Sequence, residues 1–265
     1  VTAQGFADIC RRTGRMHEAK EWEERASEIR QRAEERAWDG SWYLRAFDDD
    51  GRPIGSARND DCRIDSIAQS WAAFASADQE RVSKALQSAW DLLVSQEDQL
   101  AKLLWPAFDE GLIDPGYIKA YPPGIRENGG QYSHAAAWLG MAFAQAKEPE
   151  KAYALLNMIN PAGRSDDHAK AEHYRLEPYA VAGDISAGEQ HAGRGGWSWY
   201  TGAAGWAWQL ATRSILGLQQ SDGRLVVNPC IPPTWGGFSA TLRVGGGLVS
   251  VKVEDPQGLG CADVE

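Results

Sequence analysis

The run Gly124 to Ala136, GIRENGGQYSHAA, gathers side chains that hold ligands rather than fill a core. Arg126 offers a planar fork of donors, Glu127 a carboxylate, Asn128 and Gln131 paired amide donors and acceptors, and His134 a ring that changes charge near neutral pH. Gly129 and Gly130 let backbone approach a ligand closely. A second run, Gly193 to Trp206 (GRGGWSWYTGAAGW), joins small residues to the aromatic faces of Trp197 and Trp199, on which sugar rings can stack. Together the two runs point to a polyhydroxylated, carbohydrate ligand.

The elements that position these runs follow from hydrophobic period. Val1 to Ala37 is helical in character, with Trp22, Ala26, Ile29 and Ala33 spaced for one helix face among many Glu and Arg. Trp38 to Gly55 carries two Asp-Gly turn signals and reads as a loop or short hairpin. Asp65 to Ala77 with Glu80 to Ser95, and Gln131 to Lys147 with Glu148 to Met158, read as helical pairs. Trp105 to Gly130 and Asn160 to Gly196 read as irregular, the first as a long loop suited to lining a site. Trp199 to Leu218 is expected to be a buried helix. Beyond Ser221 the segments LVVNPCI, FSATLRV and LVSVKVE alternate apolar with polar or small residues, as strands do, so a domain boundary is expected near Leu218 to Gly223.

Composition narrows the partners. A net charge of -10 argues against a nucleic-acid groove or an anionic membrane surface, both of which need clustered Lys and Arg. No apolar run reaches the roughly 18 residues of a membrane span. Cys10, Cys62, Cys230 and Cys261 show no CxxC spacing, so reduced thiols and a cytoplasmic setting are expected.

The motifs RENGGQYSHAA, GYIKAYPPG, YRLEPY, GRGGWSWYTGAAGW and NPCIPPTW, in the chain's order GYIKAYPPG first, resemble the inverting glycoside phosphorylases of glycoside hydrolase family 94 over nearly the whole length. NDDCRIDSIAQSW (Asn59 to Trp71) and VEDPQG (Val253 to Gly258) narrow the resemblance to the C-terminal phosphorylase-like modules of cyclic β-1,2-glucan synthases and to 1,2-β-oligoglucan phosphorylases. The resemblance implies a mainly α fold, residues 1–218 as the C-terminal part of an (α/α)6 barrel and 219–265 as a small antiparallel β segment. It implies phosphate contacts from His134, Thr201 and Gly202, and sugar contacts from Arg126 and Glu127; by residue type and place in the motifs, Gln131, Lys119, Glu177, Trp197 and Trp199 are further sugar-contact candidates. It implies inorganic phosphate as co-substrate with no cofactor, a β-glucan oligosaccharide as partner, and a homodimer as an allowed assembly. A setting as the cytoplasmic module of an inner-membrane protein also follows. The family's general acid, an Asp in an Asp-Trp-Asn-Asp-Gly motif, has no counterpart among these residues; the resemblance puts it in an upstream part of the same polypeptide.

Each residue has a plainer alternative. His134 could be a core histidine at a helix start, Arg126 and Glu127 a structural ion pair, Thr201 a helix cap. Glu177 could be a buried structural carboxylate, and Lys119 a side chain lying along the loop. Most of the twelve tryptophans, including Trp71, Trp138 and Trp208, sit on helical stripes and are expected in the core. His168, His173 and His191 share a region with Asp166, Asp167, Glu177 and Asp184, but their spacing matches no ligand motif, and no metal is expected.

Overall fold

A computed structural model describes residues 1–199, 201–221, 223–255 and 257–261, and the backbone alone of Thr201. The chain is mainly α. Two helices, α1 (Thr2–Arg12) and α2 (Met16–Arg36), form the first hairpin, broken where Gly14 takes φ +77°. After a loop that pairs Ala46–Phe47 with Pro53–Ile54 come α3 (Ser66–Ala75) and α4 (Gln79–Leu93), then α5 (Ser133–Gln145) and α6 (Pro149–Ile159). Both expected helical pairs are present. The stretch expected to be irregular after Asn160 contains a short helix, α7 (His168–Tyr174), started by the Asp167 carboxylate accepting from Lys170 N–H at 2.9 Å.

Helix α5 is the centre of packing. Its Ala-rich sequence presents little side-chain bulk, so neighbours close in on most of its faces, burying Ala135, Ala136, Ala137, Leu139, Gly140, Ala142, Phe143 and Ala144. At Gly140 a Cβ would stand 2.8 Å from a Leu210 methyl, so a larger residue would push that side chain aside. Burying Leu139 and Phe143 contributes about 1.5–3 kcal/mol each. A run of edge-to-face indoles, Trp71 of α3 to Trp138 of α5 at 5.5 Å and Trp138 to Trp206 at 5.5 Å, sets the lateral spacing of the helices. Trp206 belongs to α8 (Thr201–Gln209), which runs on into a π-helical turn, Leu210–Ile215.

Three expectations are corrected. Helix α8 is not buried throughout: among the described residues one of its faces is exposed, with Trp208 62% accessible. On α2 only Ala26 of the four-residue stripe is buried; Ile29 and Ala33 line an open, largely apolar cavity of about 550 Å³ shared with Tyr43, Ile67 and Trp71. The terminal strands form two separate hairpins, Leu218–Ser221 with Arg224–Val227 and Gly237–Val244 with Gly247–Glu254, rather than one sheet.

Helix α3 begins at an ion pair between a buried Asp65 and a partly exposed Arg45. The Asp65 carboxylate accepts from Ile67 N–H at 2.8 Å and Ala68 N–H at 3.4 Å, capping the helix, and meets Arg45 Nη1 at 2.6 Å. Burial pushes its carboxyl up, with Arg45 and the two N–H groups opposing. Asp65→Ala removes the cap and the partner of a partly exposed Arg45, so urea unfolding should show a loss of about 1–2 kcal/mol, with Asp65→Asn losing less because its amide oxygen still caps.

Candidate functional site

The site is built on backbone pairing. Gln131–Tyr132 pairs antiparallel with Asp184–Ile185, Gln131 opposite Ile185 and Tyr132 opposite Asp184. On the other edge Gly183 N–H donates to Trp197 O at 2.7 Å, and Gly196 N–H to Asp184 O at 2.9 Å. The RENGGQYSH and GRGGW runs, some sixty residues apart, therefore flank one extended segment. The glycines are required. At Gly196 a Cβ would meet Asp184 Oδ2 at 2.3 Å, and at Gly124 it would meet Gly188 N at 2.3 Å.

Arg126 sits with φ +50°, and its guanidinium lies 4.7 Å over the Trp197 ring and 5.3 Å from the centre of Tyr121. Beside it, the Glu127 Oε2 is buried and accepts no hydrogen bond among the described residues. A buried acceptor of that kind is matched by a ligand hydroxyl. Asp184 underlies this pair. It is 4% exposed and accepts from Trp197 N–H at 3.3 Å; burial raises its carboxyl, with the Trp197 N–H and Arg126 opposing and Glu127 reinforcing.

His134, the second residue of α5, stacks on Tyr132 at 5.3 Å. Burial holds its ring below the ordinary imidazole value of about 6.5, so at neutral pH it is uncharged, with one N–H to donate. Its Nδ1 is buried with no partner among the described residues. The other nitrogen faces Gly202, second residue of α8, so closely that a Cβ there would stand 2.6 Å from His134 Nε2. The N-terminal ends of α5 and α8 thus converge, and α5 has no side-chain cap on its first turn. Aligned peptide dipoles at two such ends favour an anion between them.

The other sequence-expected residues fall differently. Gln131 is fully buried; its Oε1 accepts from Ala101 N–H at 2.8 Å and its Nε2 donates to Met158 O at 3.0 Å, so it scaffolds the loop and is withdrawn from the sugar-contact set. Asn128 likewise spends its amide on Phe108 and Tyr121. Glu177 Oε1 accepts from Trp199 Nε1 at 3.1 Å, fixing an exposed indole 6.0 Å from the Tyr179 ring. Lys119 is exposed and donates to Gly111 O at 3.2 Å. The Thr201 side chain lies outside the described residues. Among the described residues no three His, Cys, Asp or Glu side chains gather as a metal site. The 550 Å³ cavity beside α2 shares no residue with this cluster. Asp184, Tyr121 and Tyr132 were not in the sequence-derived set; the glycines of GRGGW were the only hint that a side chain must fit beneath them.

The chain belongs to the glycosyl hydrolase 94 superfamily, whose catalytic domain matches residues 1–217; the C-terminal domain of glycosyl hydrolase family 65 matches 218–259. It is 45% identical over 233 residues to the cyclic beta-(1,2)-glucan synthase NdvB of Rhizobium meliloti (strain 1021), covering 88% of this chain and 8% of that protein. It is 30% identical to the N,N'-diacetylchitobiose phosphorylase of Vibrio proteolyticus, covering 96% of this chain and 32% of the relative. The solabiose phosphorylase of Paenibacillus borealis is 30% identical over 82% of this chain and 28% of its own length. The chain is thus enzyme-type and spans at most 32% of the length of these relatives.

Gly202→Ala isolates the convergence of the two helix ends. In a helix this change ordinarily gains about 0.5–1 kcal/mol, but here the new methyl displaces the His134 ring. Calorimetric titration with inorganic phosphate should show at least about tenfold weaker binding, while Tm stays level or rises.

Proposed function

We propose that these residues supply the phosphate-binding and sugar-binding part of an inverting glycoside phosphorylase centre acting on a β-1,2-linked glucan. The observation that carries this reading is the meeting of His134 and Gly202 at two helix N-termini, together with a Glu127 carboxylate oxygen that is buried without a partner among the described residues. Phosphate rests between the helix ends, receiving backbone N–H groups, the neutral His134 and the Thr201 hydroxyl. Glu127 and Arg126 hold sugar hydroxyls, with Trp197 and Trp199 as stacking faces and Lys119 and Glu177 at the rim. The relatives' names, a β-(1,2)-glucan synthase and several phosphorylases, support both halves.

In this reading phosphate attacks the anomeric carbon from the face opposite the leaving oxygen, so a β-linkage yields α-glucose 1-phosphate. The leaving oxygen must be protonated, a step worth about 10² to 10⁴ in rate. Neither carboxylate of the cluster suits it: Asp184 is buried against Gly196 and the Trp197 N–H, and Glu127 serves the sugar. The acid is assigned to polypeptide outside these residues. A hydrolase would need in addition an open carboxylate to activate water, and Asp184 has no access for one. The helical pairs are read as part of an (α/α)6 barrel spanning residues 1–218, with 219–265 as an appended β segment.

The longer enzyme containing this chain, given β-1,2-gluco-oligosaccharide, should release glucose 1-phosphate only when phosphate is supplied. His134→Ala should raise KM for phosphate at least about tenfold, and Glu127→Gln should raise KM for the oligosaccharide instead. Release of free glucose without phosphate would overturn the phosphorylase reading.

A further inference from the structure

Cys230 and Cys261 form an isolated antiparallel bridge in which Ile231 N–H donates to Gly260 O at 2.8 Å. The Asp255 carboxylate fixes the second segment, accepting from Leu259 N–H at 2.9 Å and Gly260 N–H at 2.7 Å. At Gly260 a Cβ would come 2.6 Å from Ile231 O, so the two backbones are in close contact. The two sulfurs lie 3.1 Å apart, about 1 Å beyond the roughly 2.04 Å of a disulfide bond. Among the described residues this is the one sulfur–sulfur contact. Cys10 is buried and takes Arg15 Nη2 at 3.1 Å, and Cys62 is buried near Asp65.

We propose that Cys230 and Cys261 are a modification site, oxidised by a peroxide-class oxidant to an intramolecular disulfide in the folded protein. Cys261 is partly exposed, whereas Cys230 is 3% exposed and burial pushes its thiol up, so Cys261 reacts first. Its thiolate attacks one peroxide oxygen, the O–O bond breaks, and the departing hydroxide leaves as water with the thiol proton. The resulting sulfenic acid is attacked at sulfur by Cys230; the S–O bond breaks and a second water leaves with the Cys230 proton. Two thiols lose two electrons, and the peroxide becomes two waters. The bond spans a sequence separation of 31 residues that includes the Gly237–Glu254 hairpin, and clamps that hairpin to the segment leading from the helical body.

The purified folded chain is treated with about equimolar hydrogen peroxide, alkylated in denaturant, and digested without reductant. The expected result is a linked peptide pair carrying Cys230 and Cys261, loss of two of the four alkylatable thiols, and a Tm raised by roughly 5–10 °C that falls back on reduction. Cys261→Ser, a change at a partly exposed position, should keep its fold and show neither the linked pair nor the reducible Tm shift. Four free thiols after oxidation, linkage to Cys10 or Cys62, or a bond that forms only in urea would each overturn the proposal.

Discussion

The extended segment Gly183 to Ser186 is hydrogen-bonded along both edges, and the site depends on that double pairing. One edge takes Gln131–Tyr132 and the other takes Arg194 to Trp197. Because side chains alternate across a strand, register alone places Asp184 opposite Tyr132 and beneath the Arg126 and Glu127 pair. The glycines at 195 and 196 follow from the same geometry, since Tyr174, Leu176 and Asp184 occupy the space their Cβ atoms would need. A buried polar framework of this kind holds long side chains in one arrangement before ligand arrives, which is how binding geometry is kept precise.

The electrostatics are local rather than global. The chain as a whole carries -10, yet the N-terminal, positive dipole ends of α5 and α8 meet here, and among the described residues no side chain caps α5. An uncharged His134 suits that position, because an imidazolium at two helix N-termini would oppose both dipoles until an anion arrived. Asp184 is the counterweight. Its buried carboxyl lies within the field of Arg126 and of Glu127, so it helps hold the guanidinium between Tyr121 and Trp197 while Glu127 remains open to a hydroxyl.

The helices were legible in the sequence because stripes of Ala, Leu and Trp repeat over ten or more residues, long enough for a period to be distinguished. The strand at Asp184–Ile185 was not, since two residues have no period, and with it went the role of Asp184. Residue type also misled at Gln131: an amide among glycines reads as a ligand group, but the pairing that leaves Tyr132 half-buried turns Gln131 inward, where Ala101 and Met158 satisfy it. Trp208 was read as core from its stripe, whereas a helix at the edge of the packed body leaves one face uncovered. His134 and Gly202, grouped in the sequence by family resemblance alone, stand close enough that a Cβ on Gly202 would meet His134 Nε2 at 2.6 Å.

The most direct measurement is an NMR titration of the His134 ring, with and without inorganic phosphate. Without phosphate the ring should titrate below the ordinary imidazole value, because burial disfavours its charged form. A bound dianion favours that charged form, so added phosphate should move the titration upward and shift the Gly202 amide resonance with it. A His134 titration and a Gly202 amide that are both unchanged at saturating phosphate would contradict the placement of phosphate between the two helix ends.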